Sequence, residues 1–221
     1  MERALVIGAS GGIGAALVAA LSGRAAEVTG LSRSGNGLDV TDEGSVATHL
    51  GALDGQFDVV IVATGALALP GQGPEKTLRT LDPGALAHQF TLNAAGPALV
   101  LKHALRLMPK DRPARFAAIS ARVGSIGDNA LGGWYSYRAA KAALNQLIHT
   151  AAIEVGRSYP KAVLALLHPG TVDTPFTANY TPAYEKLTPA QSAAALLSVL
   201  DGLTPSDSGG FFDQNGARVA W

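Results

Sequence analysis

Three short runs of this chain, FDVVIVAT (57–64), ARFAAIS (114–120) and KAVLALLHPG (161–170), are apolar at almost every position. Alternating polarity would mark strands with one face in water, whereas near-continuous apolar character marks strands covered on both faces. Around them lie further strand-like runs, RALVIG (3–8), EVTGLSR (27–33), a short GLDV (37–40) and GGFFDQNG (209–216). Helical spacing fills the intervals, at about 12–22, from Thr41 or Asp42 to about Leu53, and at about 84–108, 135–157 and 188–201. About seven strands alternating with helices in this way predict parallel βαβ units with right-handed crossovers, and so a doubly wound α/β sheet with helices on both faces. No repeat or long linker divides residues 1–221, so a single domain is expected. Ligands of such sheets bind outside the carboxyl ends of the strands. The chemistry is therefore expected just after Ile7, Leu31, Val62, Ile119 and Leu167.

Composition removes several classes of function. Lys plus Arg and Asp plus Glu number 17 each, so the chain lacks the basic field that nucleic-acid binding requires. There is no cysteine, which excludes disulfides and thiolate metal sites. The histidines, His49, His88, His103, His149 and His168, have no ligand spacing, and no metal is expected. No apolar run approaches the roughly 18 residues of a membrane span, and strand-like sequence begins by Arg3 where a signal peptide would lie. A cytoplasmic protein without membrane partners is the expectation.

GASGGIG (8–14) joins the first strand to the first helix. Gly8 ends the strand, and Gly12 and Gly14 open the helix, the setting in which helix-terminal amides receive a pyrophosphate. Side chains on the near face would hold the phosphates off. Ser10 and Ile13 belong to the same turn and are assigned to the same Rossmann-type dinucleotide site. The alternative is a glycine turn that serves only close helix–sheet packing. The second strand ends in Leu31-Ser32-Arg33-Ser34, with no carboxylate for a free ribose 2′-hydroxyl. The Arg33 guanidinium suits a 2′-phosphate, which favours NADP(H) over NAD; a solvated surface arginine is the alternative.

In GGWYSYRAAKAALNQL, Tyr137 and Lys141 stand four apart and share a helix face. A phenol titrates near 10, and an adjacent ammonium lowers that value; about 3 units of lowering require about 4 kcal/mol. Tyr135 has Ala139 at the equivalent spacing, so Tyr137 is the candidate proton donor. Asn93 precedes Pro97 by four residues, and proline has no N–H to return to the Asn93 carbonyl. That carbonyl is either the holder of a water linked to Lys141 or the mark of a plain kink at Gly96-Pro97.

Together these residues resemble the short-chain dehydrogenase/reductase family in its compact single-domain form. Gly8, Gly12 and Gly14 match G-x-x-x-G-x-G, and Tyr137 with Lys141 matches Y-x-x-x-K. The resemblance implies that Asp39 and Val40 flank the adenine, and that Ala63, Thr64 and Gly65 stand where the family has N-A-G. It makes Asn93 the active-site asparagine, and places Pro169, Gly170, Val172 and Thr174 around the nicotinamide amide. It also implies that Lys141 holds the nicotinamide ribose. SARVGSI and the final Trp221 are similar to the carbonyl-reductase-like branch that includes C-factor signalling proteins.

Two positions depart from the pattern. Ala121 stands where the substrate-orienting serine is usual, leaving Ser120 or Ser125 for that role, and Thr64 replaces an asparagine. The implied activity is NADP(H)-dependent interconversion of a small carbonyl and alcohol, with a homo-oligomer formed through the long helices and last strand. The rival is a nucleotide-binding signalling or regulatory protein with little turnover, for which Ala121 leaves room. Trp134, Tyr135, Phe176 and Tyr180 flank the expected cleft as pocket or packing residues, and 175–187 is short for a substrate lid.

Overall fold

Six parallel strands form one sheet in the order β2-β1-β3-β4-β5-β6. They are β1 (Arg3–Ile7), β2 (Glu27–Leu31), β3 (Val59–Val62), β4 (Ala114–Ile119), β5 (Ala162–His168) and β6 (Phe211–Asp213). The computed structural model describes residues 3–24, 27–69, 71–178, 180 and 185–221. The helices are α1 (Gly12–Gly23), the short α2 (Arg33–Asn36), α3 (Glu43–Gly51), α4 (Pro83–Phe90), α5 (Gly96–Ala104), α6 (Tyr135–Val155) and α7 (Pro189–Gly202). Among the described residues no helix is long and apolar enough to cross a membrane.

Each strand divides its side chains between two cores, as a period of two requires. Ala4 and Val6 of β1 join Leu17 and Leu21 of α1 and Leu196, Leu197 and Leu200 of α7 on one face. Leu5 and Ile7 join Val46 and Leu50 of α3, Val100 of α5 and Leu144 and Ile148 of α6 on the other. The helices thus cover both faces, which explains the near-continuous apolar strands. From β1 the chain runs to β2 on one side and then to β3 on the other, so a crevice opens at the carboxyl ends of β1 and β3.

The expected strand at 37–40 is not one, and six strands replace seven. Gly37 is left-handed at φ +80. The Asp39 amide donates to Ser45 Oγ at 3.0 Å, and Asp39 Oδ1 accepts from the Thr41 amide at 2.9 Å. With side chains satisfying this backbone, no ladder is needed; Leu38 and Val40 are still buried in the core. The long pattern at 84–108 is also divided. Between α4 and α5 lies a π-helical stretch, Thr91–Ala95, in which the Gly96 amide reaches back to the Thr91 carbonyl. Pro97 cannot donate, and the chain meets it with this widened turn.

The first turn depends on the absence of side chains. A Cβ on Gly14 would lie 2.0 Å from the Gly8 carbonyl oxygen, whereas one on Gly23 meets nothing within 4 Å. Gly14→Ala is therefore expected to lower unfolding free energy by about 3 kcal/mol or to prevent folding, while Gly23→Ala raises it by about 0.5 kcal/mol. Urea denaturation of the pair checks this; equal midpoints would refute the close approach.

Candidate active site

The turn after β1 is tied to β2, because the Gly8 and Ala9 amides donate to the Leu31 carbonyl at 2.8 and 3.1 Å. Gly8 is left-handed at φ +88, and a Cβ there would lie 2.8 Å from the Ala63 carbonyl oxygen. Gly11 precedes α1 and supplies no side-chain cap, and among the described residues the Gly12, Ile13 and Gly14 amides have no cap partner. The Thr64 hydroxyl is buried without a hydrogen-bond partner. Uncapped amides, a cradle that a Cβ would fill and a buried orphan hydroxyl fit the pyrophosphate and ribose of a dinucleotide. Opposite, a Cβ on Gly12 would stand 2.6 Å from Thr174 Cγ2, so the loop after β5 faces the glycine turn.

At the β2 end of the crevice, the Ser34 hydroxyl donates to Ser10 Oγ at 2.9 Å, joining α2 to the glycine turn. Arg33, exposed, opens α2 beside this hydroxyl pair. Asp39 keeps its carboxylate below the usual range through the Thr41 hydroxyl and amide, with the Arg33 charge assisting. Val40 packs on Gly96, whose added Cβ would sit 2.9 Å from the Val40 carbonyl oxygen.

Helix α6 begins in an unusual way. Gly132, Gly133 and Trp134 are all left-handed, at φ +64, +66 and +53. For a tryptophan this conformation costs on the order of 1–3 kcal/mol unless its surroundings enforce it. Arg138 Nε donates to the Gly133 carbonyl at 2.9 Å and Nη2 to the Gly132 carbonyl at 3.1 Å. Glu75, from the loop after β3, accepts from the Trp134 amide at 2.5 Å through its carbonyl oxygen. Its carboxylate accepts from the Ser136 amide at 3.3 Å and from the Ser136 hydroxyl. Sequence reading passed over Glu75 and Arg138. The available signal was a long helix opening on GGW, with no Ser, Thr, Asp or Asn at its start.

Tyr137 and Lys141 both face inward from α6, 6 % and 2 % exposed. Lys141 Nζ donates to the Ile119 carbonyl at the end of β4, at 2.8 Å, and lies 5.8 Å from the centre of the Tyr137 ring. Burial lowers the amine to about 7. The phenol, expected to be lowered by the amine, is instead pushed well above its ordinary value by burial. The reason is geometric, since the amine is directed at a carbonyl and not at the phenol. No protein group hydrogen-bonds the Tyr137 hydroxyl among the described residues.

Asn93 is fully buried in the π stretch. Its Nδ2 donates to the Ala66 carbonyl at 2.9 Å and to Gln89, and its Oδ1 accepts from the Ala66 amide at 3.3 Å. A Cβ on Gly65 would lie 2.7 Å from Asn93 Oδ1 and 3.8 Å from Lys141 Nζ. The structure therefore brings Asn93, Gly65, Lys141 and Tyr137 together. Ser120 is turned elsewhere: its hydroxyl donates to Asn145 Oδ1 at 2.7 Å, deeper along α6. Ser125 Oγ accepts from the Asp128 amide at 3.0 Å.

In the loop after β5, Gly170 is left-handed at φ +77, and the Pro169 carbonyl accepts from Ser192 at 2.8 Å. Val172 pairs with Leu187, and its carbonyl accepts from the Thr177 hydroxyl. Thr177 also donates its amide to the Thr174 carbonyl at 3.0 Å. Tyr137 is surrounded by rings: Trp134 at 6.4 Å and Phe176 at 6.0 Å between centroids, with Tyr180 5.9 Å from Trp134. Tyr135 is exposed to about the same degree as Phe176 and Tyr180. Of the expected short lid at 175–187, residues 179 and 181–184 lie outside the described residues. Beside Ser136 a cavity of about 380 Å³ is lined by Leu67, Leu69, Glu75, Lys76, Ala85 and Gln89 among others.

With this geometry in place, the chain can be compared with known proteins. The family model described as enoyl-(acyl carrier protein) reductase matches residues 14–207. The 1-hydroxy-2-glutathionyl-2-methyl-3-butene dehydrogenase of Rhodococcus sp. (strain AD45) is 32% identical over 239 aligned residues, covering 100% of both chains. The C-signal protein of Myxococcus xanthus is 35% identical over 169 residues, covering 76% of this chain and 94% of that protein. The NADPH-bound carbonyl reductase from chicken fatty liver superposes with a TM-score of 0.85 at 24% identity, over 100% of this chain and 99% of that one. The chain belongs to the short-chain dehydrogenase/reductase family.

His168, at the end of β5, accepts from the Arg122 amide through Nδ1 at 3.3 Å. Burial, and then the Arg122 charge, lower it from 6.5 to about 4. A histidine held neutral in the folded chain binds a proton more readily when unfolded, so its contribution is present above pH 6.5 and is lost as pH falls toward 4. His168→Asn keeps an acceptor and removes the titration. Urea midpoints between pH 7 and about 4 are expected to fall less steeply for the variant than for the parent chain; parallel slopes would contradict the assignment.

Proposed function

We propose that the chain is an NADP(H)-dependent oxidoreductase that interconverts a carbonyl and an alcohol, with Tyr137 as the proton donor and acceptor. The observation that carries this is that the buried Lys141 amine and the largely buried Tyr137 ring lie together at the carboxyl end of the sheet, Nζ 5.8 Å from the ring centre and bonded to the last carbonyl of β4. Gly8, Ser10, Gly12, Ile13 and Gly14 would hold the pyrophosphate. Thr64 offers its free hydroxyl to the ribose, and Val172 its N–H to the carboxamide. Arg33, with the Ser10–Ser34 hydroxyl pair beside it, suits a 2′-phosphate. The bound dinucleotide supplies the hydride. Solved proteins with this fold include carbonyl reductases bound to NADPH, and the Rhodococcus relative named as a dehydrogenase matches over its full length.

In the reducing direction the residues divide the work as follows. Burial keeps the Tyr137 phenol protonated, which is the form that can give its proton to a carbonyl oxygen. Lys141, titrating near 7, exchanges protons readily at neutral pH and holds the ribose. The Asn93 carbonyl, which receives no N–H from Pro97, holds the water through which Lys141 reaches solvent. Ser120 donates its proton to Asn145, and Ala121 has none, so orientation of the carbonyl falls mainly to Tyr137 and the rings around it. Ala121 and the likeness to C-signal favour a second reading, a nucleotide-binding signalling protein with little turnover.

Two variants test these assignments. Tyr137→Phe is expected to lower kcat by at least 100-fold on a panel of aldehydes, ketones and quinones while NADPH still binds; unchanged turnover would refute the proton role. Binding without turnover by the parent chain on any panel member would favour signalling. Arg33→Ala is expected to cut the ratio of NADPH to NADH affinity by about tenfold, on the scale of a charge-assisted contact, and an unchanged ratio would remove the support for NADP(H).

A further inference from the structure

We propose that Glu75 is the residue that positions the Tyr137 hydroxyl, by capping α6 from the loop that follows β3. The inference rests on the proton-donor reading of Tyr137 given above. Helix α6 has no cap of its own: Trp134 stands at the cap position in the left-handed conformation, and its side chain caps nothing. Glu75 replaces it from about sixty residues upstream. Its carbonyl fixes the Trp134 amide, and its carboxylate takes both the amide and the hydroxyl of Ser136. Main chain and side chain of one residue thus grip the two positions that bracket Tyr135 and immediately precede Tyr137. A carboxylate at this end of a helix is also placed favourably for the helix dipole.

The same loop reaches the other half of the pair. Gly65 backs onto Lys141, and Ala66 exchanges two hydrogen bonds with Asn93. Gly65 and Ala66 therefore lie beside the amine and its asparagine neighbour, and Glu75 at the start of the helix turn that carries the phenol. Gly133 is left-handed at φ +66, and its place against the Glu75 carbonyl oxygen leaves ordinary contact distance, 3.6 Å, to an added Cβ. Ser136 is 2 % exposed, so solvent does not compete for the contact. The Tyr137 ring has packing on its faces but no hydrogen bond at its hydroxyl. The place of that hydroxyl therefore follows from where the first turn of α6 is held. Misplacement by about 1 Å costs on the order of 100-fold in rate.

The test is the kinetics of Glu75→Gln and Glu75→Ala on a carbonyl the parent chain reduces, with turnover expressed per NADPH-binding site so that misfolded protein is not counted. Both are expected to lower kcat, by about tenfold for Gln and about 100-fold for Ala, with the NADPH dissociation constant within twofold and the carbonyl KM within threefold of the parent. In a Ser136→Ala background, Glu75→Gln is expected to cost less than threefold, because the contact it breaks is already weakened. An unchanged kcat per binding site, with only lower thermal stability, would make Glu75 a plain structural cap and overturn the proposal. Equal losses in both backgrounds would do the same. If Glu75→Ala does not fold, Glu75→Gln and the double variant still decide. Tyr137→Phe separates the two readings: if it abolishes turnover while Glu75→Gln leaves kcat unchanged, only the Glu75 assignment fails.

Discussion

The carbonyl of Ile119 is the last acceptor of β4, and the Lys141 amine occupies it at 2.8 Å, where almost no water reaches. An amine removed from water retains its proton poorly, which is why this one titrates near neutrality. That contact also fixes α6 over the end of the sheet. Gly124 allows it, since a Cβ there would lie 2.8 Å from Lys141 Cβ. Asn93 and Gly65 then pack around a lysine whose position the sheet has determined. The cost of burying the amine is local, and the neighbouring backbone is arranged to limit it.

Much of this was legible in the residues. Covered strands read as continuous apolar runs, and four of the helices, α1, α3, α6 and α7, fell within a few residues of their places. Periodicity was uninformative where side chains satisfy the backbone. Leu38 and Val40 are buried as strand residues would be, yet Asp39 and Ser45 hold the backbone in a turn. Tyr137 and Lys141 were identifiable from spacing and family likeness. The directions of their titration were not, because desolvation and the aim of Nζ depend on tertiary placement. Ser120 illustrates the same limit: its partner, Asn145, lies 25 residues away and is known only once α6 is docked.

Glu75 and Arg138 were illegible for a different reason. Neither belongs to a motif, and both act on the main chain of residues distant in sequence or locally left-handed. A missing cap is a weak signal when the loop that supplies one is unknown. The two glycines before Trp134 hinted at positive φ, but nothing in the sequence extended that conformation to the tryptophan.

The turn at 37–40 has a consequence for how such a chain can diverge. It forms the wall of the crevice beside Arg33, yet no ladder passes through it, and its amides are held by neighbouring side chains. Exchange of a residue in a strand shifts register or polarity for every partner along the row. Exchange at the partly exposed Asp39 involves no such row, whereas Leu38 and Val40 are fixed by the core. Selectivity at that end of the crevice can therefore be retuned by single substitutions, while the scaffold that carries the reacting groups remains as it is.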